Sequence, residues 1–259
     1  MGVSESDLQI FRRHAADGTL ILGGLAAILL QLADPRVARG VARHSDFATR
    51  PLDRLFGTLD FVYAVGFADD AVVARVVSRV HRLHARVAGS DPPAYSADDA
   101  DAQRWVASTL CFAALAVQRE VLPPLSAADA DAVVRAYAMF GDALRAESAG
   151  WPATASEFDA WWGERLAGVH VTDEAQDVAR SLLGGAGLPW HLRLLLPPIR
   201  LVTAELLPAD IAAAFGLRRT RRARRAARGW LRCIRALHPL LPRRLREAPL
   251  RAALQRVAT

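Results

Sequence analysis

The sequence predicts an all-α protein, a single globular domain of about ten helices. Apolar residues recur at three- and four-residue spacings through nearly every segment, the pattern of helices that bury one face. Alternating apolar–polar runs are scarce, and no Asn-Gly or Asp-Gly turn joins two apolar stretches. With 259 residues, 52% apolar and 23% charged, the chain has globular composition and enough length for one sizeable core.

The most apolar stretch, GTLILGGLAAILLQLADP at 18–35, holds an uninterrupted run from Thr19 to Leu30. A bilayer span needs about 20 residues, and Asp17, Gln31 and Asp34 flank the run without a small-residue cleavage pattern. It therefore reads as a core helix. Pro51 opens another helix, on which Asp53 and Asp60 read as solvated carboxylates. In DDAVVARVVSRVHRLHARVAG, apolar residues at 73, 76, 77, 80, 83 and 87 mark a further helix with Gly89 as its stop. Ser96 and the acids after it predict a helix start, and that helix ends before Pro123. Ser126 starts the next one in the same way, and Thr154 with Glu157 forms a capping box.

All 33 basic side chains are arginine. The lack of lysine excludes Schiff-base chemistry, a phosphate-loop lysine and any lysine base. Cys111 and Cys233 lie far apart with no metal-ligand spacing. Cys111 reads as a small buried hydrophobe, and the usage fits a reducing cytoplasm. Residues 218–256 hold fourteen arginines and one acid, Glu247. We take 1–217 as the main helical domain and 218–259 as arginine-rich helices packed on it. Only Trp230 is available there for base stacking and no binding motif is present, so no specific nucleic acid is expected. Peripheral contact with an anionic membrane stays open, beside a solvated cationic helix pair.

Two placements carry chemical interest. Arg54 and Thr58 lie four apart on one helical face with Phe61 and Val65, a face the apolar pattern predicts to be buried. His84 falls near the middle of the stripe formed by Val73, Val77, Val80 and Val87, with His81 on its flank. From the residues alone, His84 is either a buried histidine bonded to a carbonyl or a neutral imidazole facing an apolar pocket, which suits haem iron. Glu120 reads as a solvated helix-end acid and Glu205 as the partner of Arg200. Trp105, Trp161, Trp162 and Trp190 read as core or rim packing.

The stretches LLQLADPRVARGVARHSDFATRPLDRLFGTLDFVYAVGFAD, RVHRLHARVAG, YSADDADAQRWVASTL, PLSAADADAVVRAY, WPATASEFDAWW, RLVTAELLPADIAAAFGL and RALHPLLPRRLR follow one another in an order that resembles the MpaB/latex-clearing protein oxygenase family. The resemblance implies a largely helical fold with a buried apolar pocket for haem b. There dioxygen is activated to cleave isoprenoid double bonds, so the partners expected are O₂ and a small hydrophobic substrate. It implies that His84 is the haem-iron ligand and that Arg54 and Thr58 stand beside the haem, Arg54 reaching a propionate or the oxygen side. His44 in HSDF matches a family histidine and is expected to assist, or to brace the loop that follows it. Three positions depart from the family. Gly57 stands where latex-clearing proteins carry a lysine, and Asp34 and Ala107 stand where bacterial relatives carry histidines.

Two readings of function result. One is a haem-dependent oxygenase using O₂ on a hydrophobic, unsaturated substrate. The other is a catalytically degenerate family member that binds a lipid-like ligand or an anionic membrane surface.

Overall fold

The computed structural model describes residues 3–44, 50–92, 94–144, 146 and 150–259. Within them the chain is helical almost throughout, in the order α1 (Glu5–Ala15), a 3-10 turn (Gly18–Gly23), α2 (Gly24–Leu32), α3 (Pro35–His44), α4 (Pro51–Phe67) and α5 (Asp70–His84). Two short strands, β1 (Ala88–Gly89) and β2 (Tyr95–Ser96), pair antiparallel with Gly89 opposite Tyr95. There follow α6 (Ala100–Val121), α7 (Ala127–Ala143), α8 (Ala155–Ala167), α9 (Asp173–Gly184), α10 (Trp190–Arg193), α11 (Leu196–Leu206), α12 (Ala209–Ala214) and α13 (Arg221–Leu237). A 3-10 turn (His238–Leu240), α14 (Arg243–Arg246) and α15 (Ala248–Ala258) end the chain. The all-α expectation holds. The larger number of helices comes from three pieces of six residues or fewer (α10, α12 and α14) and from breaks that the periodicity does not mark.

α6 is the central helix. It packs against α2, α7 and α13, and buries residues on most of its circumference, among them Trp105, Cys111 and Val117. Trp105 is fully buried and donates its indole N–H to the Leu30 carbonyl (3.1 Å), which joins α6 to α2. It stacks on Trp162 of α8 at 5.1 Å between ring centroids. Around the other side of α7, Phe11 of α1 sits edge-on to Tyr137 and Phe140.

The apolar 18–32 stretch is two elements. Gly23 lies so close to α6 that a Cβ there would sit 2.9 Å from the Ala113 carbonyl oxygen, which accounts for a residue without a side chain at this junction. Among the described residues no single helix is long and apolar enough to cross a membrane, and α1 and the 18–32 stretch are bent 77° at their break.

Local caps set several helix starts. Ser126 accepts the Asp129 N–H (3.1 Å), and Thr154 accepts the Glu157 N–H (3.1 Å) while Glu157 reaches back to the Ala153 N–H. The α6 start differs from expectation. Asp99 is its cap, accepting the Ala102 N–H at 2.8 Å, because Ser96 is held in β2. Gly89 likewise pairs in β1 and does not stop α5, which ends at His84. Asp60 is not simply solvated, since Arg256 of α15 binds it at 2.6 Å.

The arginine-rich segment packs on the same body. α13 lies against α11 and α6 through Ala227 and Leu231, and α15 lies against α4. Glu205 of α11, 10% exposed, bonds Arg219 (3.4 Å), Arg224 (3.8 Å) and Arg228 (3.3 Å), and not the expected Arg200. The turn of α11 toward α13 decides the partner.

Candidate functional site

α4 and α5 form an antiparallel hairpin. Pro51 occupies the first turn of α4, Arg50 pairs with Asp53 at 2.5 Å, and α4 ends at the extended residues Ala68 and Asp69. Asp69 caps α5 by accepting the Val72 N–H at 2.9 Å. So short a reversal sets the start of α4 beside the end of α5. Phe61 and Ala64 anchor α4 in the core, whereas α5 has no fully buried residue and leans on the core with half-buried Val76, Val77 and Val80.

His84 is the last residue of α5 and is half-buried. Its Nδ1 is buried and has no hydrogen-bond partner. Burial lowers its pKa, nearby Asp98 opposes the shift, and His81 and Arg54 reinforce it, so the ring is neutral. His81 differs: its Nε2–H donates to the Ala143 carbonyl at 3.2 Å, a bond that ties α5 to α7. The histidine bonded to a carbonyl is therefore His81, and His84 keeps an unspent nitrogen.

Arg54 and Thr58 are both exposed, contrary to the burial that their spacing predicts. The face is covered from Phe61 onward and open before it, since among the described residues no further layer lies over the hairpin end. The same end exposes Phe56 (43%) and Leu83 (51%), and a Cβ on Gly57 would meet nothing within 4 Å. Thr58 donates its hydroxyl proton to the Arg54 carbonyl at 3.0 Å, which leaves its oxygen lone pairs as acceptors. Arg54 is close enough to His84 to repel a proton from it.

His44 ends α3, and its Nε2 bonds the Tyr95 hydroxyl at 2.9 Å. Arg43 sits over the same ring at 5.9 Å. The loop it was expected to brace, 45–49, lies outside the described residues. The link from α3 to the chain just after His84 runs through Tyr95 and Gly40, where a Cβ would meet Val87 at 3.3 Å. Tyr95 has a single signal in the sequence, Gly89, which packs on its ring.

Asp34 is 3% exposed and works as a cap and an ion-pair partner. It accepts the Arg36 backbone N–H (2.9 Å) and binds that guanidinium at 2.7 and 3.1 Å. It lines a cleft of about 320 Å³ with Arg36, Arg39, Arg165, His170 and Glu174, where carboxylates and guanidinium groups pair with one another. Ala107 is buried in α6.

A family model described as ER-bound oxygenase mpaB/B'/Rubber oxygenase, catalytic domain, matches residues 11–236. The chain belongs to this MpaB/rubber oxygenase family. A solved structure of latex clearing protein LCP in the closed state shares its fold, with a TM-score of 0.55 at 18% identity over 98% of this chain and 75% of that one. No curated protein matches the chain.

Among the described residues, no three His, Cys, Asp or Glu side chains gather to hold a bare metal ion. Haem asks for less of the protein in an MpaB/rubber oxygenase fold: one neutral imidazole, apolar walls and a cation for a propionate. The residues present fit it. His84 is neutral and carries a buried nitrogen whose lack of a partner costs about 1–3 kcal/mol. Leu83 is apolar and half exposed, Arg54 is a cation at the same end, and Phe56 is already partly covered by the Arg256 guanidinium, 5.1 Å from its ring centre.

Proposed function

We propose that this chain is a haem-dependent oxygenase acting on a hydrophobic, unsaturated substrate of isoprenoid type. The observation that carries the reading is the neutral imidazole of His84, its buried Nδ1 without a hydrogen-bond partner, at the end of the α4–α5 hairpin beside Leu83 and Arg54. Bound haem would supply dioxygen activation and the oxidation of a carbon–carbon double bond. His84 would hold the iron by a ring nitrogen, aided by a rigid support, since the His81–Ala143 bond fixes α5 one turn earlier. Arg54 would bind a propionate or stabilise negative charge on the oxygen side. Thr58 would accept a hydrogen bond there, because its own proton is held by the Arg54 carbonyl. His44 would act on the site from Tyr95, through the chain after His84.

The test is oxygen uptake by haem-loaded protein, with squalene compared against its saturated analogue squalane. Uptake with squalene alone, lost in His84→Ala and reduced in Arg54→Ala, is the expected result. Equal uptake with both hydrocarbons would reject the substrate class.

A second reading is favoured by a separate observation. Trp230 (48% exposed), Leu237 (52%), Leu240 (74%), Leu241 (43%) and Leu245 (61%) stand uncovered on α13, α14 and the turn between them, among exposed arginines. Bulky apolar groups beside guanidinium groups suit an anionic bilayer surface. Flotation with acidic liposomes at low and high salt tests it: the predicted binding weakens with salt and is lost in a Trp230→Ser, Leu240→Ser double variant. Flotation unchanged by the double variant would reject this surface.

A further inference from the structure

Away from the α4–α5 end, a cleft of about 290 Å³ lies between α1, the end of α6 with its following loop, and the 238–246 segment. Its size is at the lower limit of small-molecule sites. Three buried nitrogens on its walls have no partner: both ring nitrogens of His14 and Nε of Arg246. His14 is only 6% exposed. Neighbouring Gln118 donates its amide N–H to the Pro123 carbonyl, while its carbonyl oxygen approaches His14 as an acceptor without completing a hydrogen bond. A buried polar atom left unpaired in a folded protein calls for an explanation, and three in one cleft call for a common one.

The acceptors in the cleft are already engaged. Asp17 accepts from His238 Nε2 (2.6 Å), from the Thr19 N–H (3.0 Å) and from Arg246 Nη1 (3.4 Å). Asp129, at the rim, accepts from the Ser126 hydroxyl (2.9 Å). What remains unspent is mainly donor capacity: the Arg246 Nε–H, one imidazole N–H of His14, whose other ring nitrogen stays a bare acceptor, and Arg13, which is exposed at the rim and forms no ion pair among the described residues. Ile10, Leu122 and Leu125 supply apolar wall.

We propose that this cleft is a binding site for a small organic carboxylate, with the carboxylate on Arg246, His14 and Arg13 and a short hydrocarbon body on the apolar wall. Two guanidinium donors and an imidazole match a carboxylate's acceptors, and an inorganic anion would leave the apolar wall without a partner. The site is independent of the haem reading and involves none of its residues.

The experiment is thermal unfolding of the full chain with increasing 3-methylbutanoate, its neutral amide, or inorganic phosphate. A saturable rise in Tm is expected with the carboxylate, and none with the amide. Arg13→Gln and His14→Leu should each weaken apparent affinity at least about tenfold, a change of about 1.4 kcal/mol. Arg13 is exposed, so its variant keeps the fold if the His14 variant does not. No saturable rise with the carboxylate would mean that water alone satisfies these nitrogens, and would overturn the proposal. So would equal responses to carboxylate and amide, or binding that survives in both variants. Phosphate binding as tight as the carboxylate's would overturn the assignment to an organic anion.

Discussion

Acidification from pH 7 to pH 5 should destabilise this protein through His14. Burial pushes the pKa of His14 from the usual 6.5 down to about 4, against the opposing pull of nearby Gln118 and Asp17. Below pH 6.5 the unfolded chain takes up a proton that the folded chain refuses, so stability falls with pH and the loss is complete near pH 4. A difference of about 2.5 pH units is worth about 3 kcal/mol, of which about 2 kcal/mol is lost by pH 5. His84, also lowered by burial, acts in the same direction. The lowered carboxylates Asp7, Asp17 and Asp101 add stability that is lost only as pH falls through and below their usual value near 3.8, outside this window. Urea unfolding followed by tryptophan fluorescence reads the effect as a shift in midpoint at constant slope. His14→Leu removes the titrating group and two unpartnered nitrogens. It should match or exceed the parent at pH 7 and lose about 2 kcal/mol less on going to pH 5. Parallel losses in parent and variant would refute the assignment of this window to His14.

Two further outcomes are expected. Glu205→Gln removes the charge shared by Arg219, Arg224 and Arg228, and should cost about 1–2 kcal/mol in urea unfolding, limited by the exposure of the arginines. Gly89→Ala puts a Cβ 2.5 Å from the Tyr95 ring, so the ring must move, and a loss of about 1–3 kcal/mol in thermal unfolding should accompany weakening of the His44–Tyr95 bond.

The parts of this fold legible in the sequence are those set by local chemistry. Ser126 and Thr154 each cap a helix with a side chain three residues from its partner, so a short window contains the whole device. Ser96 misleads because Asp98 and Asp99 offer rival caps, and the choice among them is made by strand pairing with β1. Periodicity identifies the Arg54–Thr58 face but carries no information on whether another layer covers it, and among the described residues none does. Glu205 finds its arginines only when α13 folds back on α11. Asp17 and His238 are 221 residues apart, and nothing short of the tertiary fold brings them together. The position of His84 was legible from its apolar stripe. That its Nδ1 would be left without a partner while His81 was satisfied was not, because the deciding carbonyl belongs to Ala143.

The most direct test of the central claim is a haemin titration followed by visible absorption, with parent and His84→Ala proteins side by side. His84 Nδ1 makes no hydrogen bond, so the variant's helix content and haem-free urea midpoint should stay close to the parent's. The parent should take up haemin with a saturable Soret band that shifts on reduction and on carbon monoxide binding, and the variant should lose affinity and the ligand-dependent features of that band. Identical spectra and affinities in a well-folded variant would contradict His84 as the iron ligand, and a folded parent that takes up no haemin would contradict the oxygenase reading itself.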